Sequence, residues 1–263
     1  MLYIMQISGY LFPLLTFPYL TRVLGSETYG ILTASSAVMS YFQLLVDFGF
    51  ILSATRDCSL FRSDKTKLIQ INCSVVQAKC LLSLTGFILL IPVILAVPLY
   101  RENALYLILS YISVFLSSFI PDYLFRGLEK MSTITYRTLG ARTIYLVLVF
   151  AFIHTEEQFI LVPVFNAASN LFIVLWSWWY VIRKFHLPYR FQSFKNTWDT
   201  LKRSSIFFLS RIASTLYGAS NVFLMTLLGF PAGLLGQYGA ADSLIQNARK
   251  MLSPISDSLY PYM

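Results

Sequence analysis

Five polar residues near one end of the chain, Asp242, Gln246, Arg249, Ser253 and Ser256, recur at steps of 4, 3, 4 and 3. At about 100° per residue they share one face of a helix, and Tyr260 extends the stripe. Arg249 stands roughly 18 Å of helical rise beyond Gln237, inside a largely apolar run. Charge near the centre of a bilayer is costly. Such a stripe therefore faces either a wet cavity walled by protein or a polar seam against a neighbouring helix. Upstream, Arg211, Ser214, Thr215 and Gly218 fall at i, i+3, i+4 and i+7, with Arg211 about 12 Å of rise beyond Arg203. Arginine's planar fork grips a phosphate or carboxylate at two points. Arginines outnumber acids within the apolar runs, so the chemistry on offer is recognition of an anion, not of a cationic drug.

Other ionisable residues fall less regularly. Asp47, in LVDFGF, is the best-placed acid in the first six apolar runs, and Arg56, nine residues on, lies on the opposite helix face. Arg137 and Arg142 are about 140° apart, so one is expected to line a cavity and the other to snorkel, Arg142 being the deeper. Lys79 is expected to snorkel as well. Asp122, after Pro121, reads as a helix end. Nothing in the chain offers covalent or metal chemistry: H-E-x-x-H, P-loop and G-x-S-x-G patterns are missing. Two histidines and three scattered cysteines (Cys58, Cys73, Cys80) make poor material for zinc or a disulfide framework. The expectation is a non-enzyme with no catalytic residue, metal or cofactor.

These residues are carried by about eight apolar stretches, roughly 2–21, 29–53, 73–98, 104–124, 132–153, 159–182, 204–228 and 237–262. Each has about the 20 residues a helix needs to cross a bilayer, which argues against the shorter alternating strands of a barrel. The fold class predicted is an all-α polytopic membrane protein. Only 12% of residues are charged, against about 25% in soluble domains. Lysine and arginine in the links gather in 54–72, 125–131 and 183–203, about twelve of them, against Arg22 and Arg101 on the other side. The positive-inside rule makes the first set cytosolic and, with eight spans, puts both termini there too. The net charge of +8 thus reads as orientation and contact with anionic lipid, with no nucleic-acid partner.

The link 183–203 divides six spans from two, giving units at 1–182 and 204–263. It is either a plain linker or one holding an interfacial helix, with Phe194, Trp198 and Leu201 at i, i+4 and i+7. A faint repeat, Leu24-Gly25…Tyr29-Gly30 against Leu228-Gly229…Tyr238-Gly239, matches that division. Gly229-x-x-x-Gly233 reads as part of a turn.

Five stretches carry a resemblance: YLFPLLTFPYLTRVLGSETYGIL (10–32), YFQLLVDFGFILSATRD (41–57), FRGLEKM (125–131), FFLSRIAS (207–214) and QYGAADSLIQNARKMLSPISDSLYP (237–261). Together they resemble bacterial O-antigen flippases, the polysaccharide-biosynthesis transporters of the multidrug/oligosaccharidyl-lipid/polysaccharide exporter superfamily. The resemblance implies two six-helix lobes around a central cavity, alternating access, and a location in the bacterial inner membrane. The implied cargo is an oligosaccharide repeat unit on undecaprenyl pyrophosphate, moved from the cytosolic to the periplasmic leaflet during lipopolysaccharide biosynthesis. Carried over by position, Arg22, Arg56, Arg142, Arg211 and Arg249, with Gln246, are candidates to hold the pyrophosphate or acidic sugars. Asp47 and Asp242 are candidates for a coupling cation or proton. Membrane lipids and other polysaccharide-assembly proteins are the further partners implied. Family members usually have about twelve or more spans, so the expectation here is one six-helix lobe plus the first two helices of a second. An ion-coupled drug or metabolite exporter of the same superfamily, or an inactive truncated product, are the alternatives.

Overall fold

The computed structural model describes the backbone of residues 2–259, with side chains described for 9, 11–212 and 220–249. Apart from short links and the stretch 184–193, the described chain is helical, without strands. Helix α1 (Leu2–Asp47) bends at Gly25, whose φ of 69° is open to glycine at little cost. Phe17 and Tyr29 would stand about 18 Å apart along a straight helix. Their rings meet at 5.9 Å, so the arms 2–24 and 26–47 form a hairpin. A second break at Phe48 and Gly49, both at positive φ, separates α1 from α2 (Phe50–Leu60). The run expected as one span over 29–53 is therefore two elements.

Helix α3 (Lys65–Ala96) starts under a cap, the Asp64 carboxylate accepting from the Lys67 amide at 3.1 Å. There follow α4 (Pro98–Glu102), α5 (Ala104–Ser118), α6 (Asp122–Gly127) and α7 (Met131–Phe152). A 3-10 turn over Glu156–Ile160, closed by a Thr155/Gln158 capping box, leads into α8 (Leu161–Arg183). Then come α9 (Phe194–Leu227) and α10 (Ala232–Leu259). The first turns of α9 hold Phe194, Trp198 and Leu201, so that stripe belongs to the same unbroken helix as Arg211.

Among the described residues, four stretches are long and apolar enough to cross a membrane: Leu11–Leu60, which contains the hairpin, Lys65–Ala96, Ala104–Gly127 and Glu156–Arg183. Helices α7, α9 and α10 match them in length, at 22, 34 and 28 residues, and are more polar. The molecule is an all-α membrane protein, and apolarity alone does not count out eight passes.

Bare backbone joins the hairpin to α10. A Cβ on Gly30 would lie 1.8 Å from the Ala232 carbonyl oxygen, and one on Gly236 would lie 2.0 Å from that of Ser26. Side chains are thus excluded from the seam, as in close helix pairs within membranes. Gly229 sits in the α9–α10 turn at φ 77°, as expected, whereas Gly233, read as part of the same turn, belongs to the first turn of α10.

Candidate functional site

The hairpin's second arm, α5 and α8 wall a hollow of about 660 Å³. One stripe of the arm faces it: Tyr29, Thr33, Ser36, Ser40, Gln43 and Asp47, at steps of 4, 3, 4, 3 and 4. Opposite, α5 presents Tyr106, Ser110, Ser113 and Ser117, again one helical face, and α8 presents Asn166 and Asn170. Hydrogen bonds tie the walls together. The Asn170 amide donates to the Ser113 carbonyl at 3.1 Å, and the Ser117 hydroxyl donates to Gln43 Oε1 at 2.8 Å. Tyr145 of α7, Arg211 of α9 and Ser243 of α10 add further polar groups, and Leu20, Leu32, Met39, Leu44, Val114 and Val162 give the hollow apolar patches between them.

Charge is sparse here. Among the described lining residues, Asp47 is the acid and Arg211 the base. Behind the wall, Lys79 Nζ lies 4.0 Å from the Asp47 carboxylate and donates to the Ser118 carbonyl at 2.7 Å. The lysine is 5% exposed, so it does not snorkel. Helix α3 begins at Lys65, eight residues before the expected span, which puts Lys79 about 21 Å of rise along it, beyond snorkelling reach.

Arg137 overturns a second expectation. It neither snorkels nor lines the hollow. Its guanidinium is 1% exposed, pairs with Asp122 at the start of α6, donates to the Ser177 hydroxyl and lies 4.7 Å over the Phe125 ring. Arg142 is half-buried beside Gly9, on the turn of α7 before Tyr145, and does not line the hollow either.

Of the candidate anion-binding residues, Arg211 alone lies in the lining. Arg22, Arg56 and Arg249 are exposed on separate helices. Arg56 stands 3.4 Å from Asp57 and 5.8 Å from the Phe207 ring. On α10, Asp242 and Gln246 are half-buried, and the hollow receives their neighbour Ser243 instead. The side chains of Ser214, Thr215, Ser253 and Ser256, the surroundings of Gly218, and Tyr260 as a whole, lie outside what is described. The stripes on α1 and α5 were within reach of sequence reasoning, since they have the same 4–3–4 spacing as the α10 stripe. They were missed because only charges were weighed as costly.

A helical membrane protein whose hollow sets hydroxyls, amides, tyrosines, one acid and one guanidinium among leucine, valine, methionine and proline side chains has the build of a binding site for a solute with polar and apolar faces. The chain belongs to the polysaccharide biosynthesis protein family, which it matches over residues 1–263. It is 30% identical over 259 residues to a curated Escherichia coli (strain K12) protein named "Putative O-antigen transporter", covering 98% of this chain and 62% of that one. A Shigella dysenteriae protein of the same name is 29% identical over 266 residues, covering 99% and 65%. The chain thus spans under two thirds of the length of these relatives. No solved structure matches it.

Proposed function

We propose that this chain takes part in flipping lipid-linked oligosaccharide repeat units, of the O-antigen kind, across the bacterial inner membrane by alternating access. The carrying observation is the set of hydroxyl, amide and tyrosine stripes that converge on one hollow, because sugars are held by many hydroxyl and amide partners and by aromatic faces. Family membership and the relatives' names support it. In this reading Arg211 meets the acidic end of the cargo. The Asp47 carboxylate, with Lys79 beside it, takes the coupling proton or cation. The basic links face the cytosol, as do both termini, and 1–182 forms one lobe to which 204–263 adds the opening helices of a second.

The test is expression in cells lacking their own O-antigen flippase, scoring surface polysaccharide and the lipid-linked units left inside. Restoration is expected, with loss on Arg211→Ala and on Asn166→Leu with Ser36→Val. No restoration by the unsubstituted chain, or full restoration by these variants, sinks the reading. The presence of Asp47 in the wall favours one rival, an ion-coupled exporter of small solutes. That reading predicts gradient-dependent efflux with no change in surface polysaccharide.

A further inference from the structure

A second cleft, of about 530 Å³, lies apart from the hollow, where the end of α2, the first turns of α3 and the first turns of α9 meet. Three cations line it, Lys67, Lys202 and Arg203, against a single acid, Asp199. Asn196 and Thr200 add neutral donors. Arg203 is partly answered, its Nη1 lying 3.8 Å from Asp57. Among the described residues, neither Lys67 nor Lys202 joins an ion pair. Lys67 instead rests its ammonium 4.1 Å above the Phe61 ring, which holds it in place without neutralising it.

The same turns of α9 carry an independent feature. Asn196, Asp199, Thr200, Lys202 and Arg203 line the cleft, Thr197, Leu201 and Ser204 are buried, and Phe194 and Trp198 leave from a flank outside the lining, beside Lys202. Those two rings stack at 6.3 Å and are largely exposed. A tryptophan and a phenylalanine exposed beside lysines belong at the headgroup level of a bilayer. Because they occupy the helical turns that wall the cleft, they set its depth at the layer where lipid phosphates lie. All three elements meet in links 54–72 and 183–203, the basic side of the molecule.

We infer that this cleft is a binding site for the phosphate headgroup of an anionic membrane phospholipid, with Lys67 and Lys202 as the gripping charges and Phe194 and Trp198 as the depth anchor. The site is separate from the sugar hollow and does not depend on what that hollow carries.

The full chain is reconstituted in vesicles of phosphatidylcholine alone or mixed equally with phosphatidylglycerol. It is then extracted gently, and its retained lipid is counted by native mass spectrometry. Retention of phosphatidylglycerol over phosphatidylcholine is expected. Each lysine near a charged surface is worth about fivefold in affinity, so Lys67→Gln with Lys202→Gln should weaken retention about 25-fold. Lys195→Gln, on α9 but outside the cleft, should leave it unchanged. All three lysines are exposed, so helix content measured by circular dichroism should hold in every variant. Displacement of the lipid by added inorganic phosphate would make the occupant a soluble anion and overturn the assignment to lipid. Equal retention by the double variant overturns the site altogether. The readout is bound lipid, so its failure leaves the flippase reading standing.

Discussion

Around Asp122 and Arg137, charge is buried and answered side chain to side chain. In the hollow between α1, α5 and α8, neutral hydroxyls and amides line open space. Both regions are polar and both lie within the helical bundle, but they serve different ends. A guanidinium 1% exposed survives because a carboxylate, a hydroxyl and an aromatic face surround it. It holds α6 and α8 against α7 and is sealed away from the hollow. In the hollow, Ser40, Ser110 and Ser117 spend their protons on oxygens of the wall and Asn170 spends its amide on Ser113, which leaves hydroxyl lone pairs, Ser36 and Asn166 to face the open space. Among the described residues, the deepest charges, Arg137 and Lys79, hold helices together, and the wall of the hollow draws its polarity chiefly from neutral groups.

The sharpest way to break that contrast is to remove one side of the buried pair. Asp122→Ala leaves Arg137 uncompensated and should lower stability by about 3–5 kcal/mol. Arg137→Met leaves only a carboxylate at one-third exposure, so it should cost clearly less. Ranking the two by thermal unfolding in detergent checks this, and equal costs would mean the pair is not holding the charge. Next in size is Gly236→Val, which pushes a side chain into the Ser26 carbonyl and should cost about 1–3 kcal/mol by the same assay.

The hollow should respond in the opposite sense. Ser36→Val and Asn166→Leu should each change stability by no more than about 0.5 kcal/mol. Transport of lipid-linked sugar should nevertheless fall roughly tenfold for each ligand hydroxyl left without a partner. A hollow variant that melts several degrees lower yet transports at the wild-type rate would reverse the contrast. The smallest effect is expected at the exposed Arg62–Glu129 pair, 2.8 Å apart, where the hydrogen bond and charge of Arg62 hold the Glu129 carboxyl below its ordinary range. A lowered folded pKa means the pair's small stabilisation is present above the unfolded carboxyl's pKa and is lost as pH falls through the folded one. The thermal difference between wild type and Glu129→Gln should therefore vanish in acid and persist at neutral pH.

The helices were legible in the sequence because apolar runs of bilayer length admit little else, and Gly25 and Gly229 marked their turns. Asp47 and Arg211 were legible as polar residues within those runs. Lys79 was misjudged because Asp64 caps α3 a full two turns before the apolar run begins, which moved the lysine inward. The Asp122–Arg137 pair joins residues 15 apart across a turn, and no helical spacing could foretell it. On α10 the face turned to the hollow is one residue off the charged stripe, at Ser243 and not Asp242. A shift of 100° decides that, and helix packing sets it, not periodicity.

Gly49 has a mechanical consequence. A methyl group there would come within 2.7 Å of Phe207 Cβ and 2.8 Å of the Phe208 amide nitrogen, so the break after α1 and helix α9 touch through a lone hydrogen. Asp47 lies two residues to one side of this contact and Arg211 four residues beyond it along α9, both in the wall of the hollow. Even alanine at position 49 would act as a shim between the two helices that carry them.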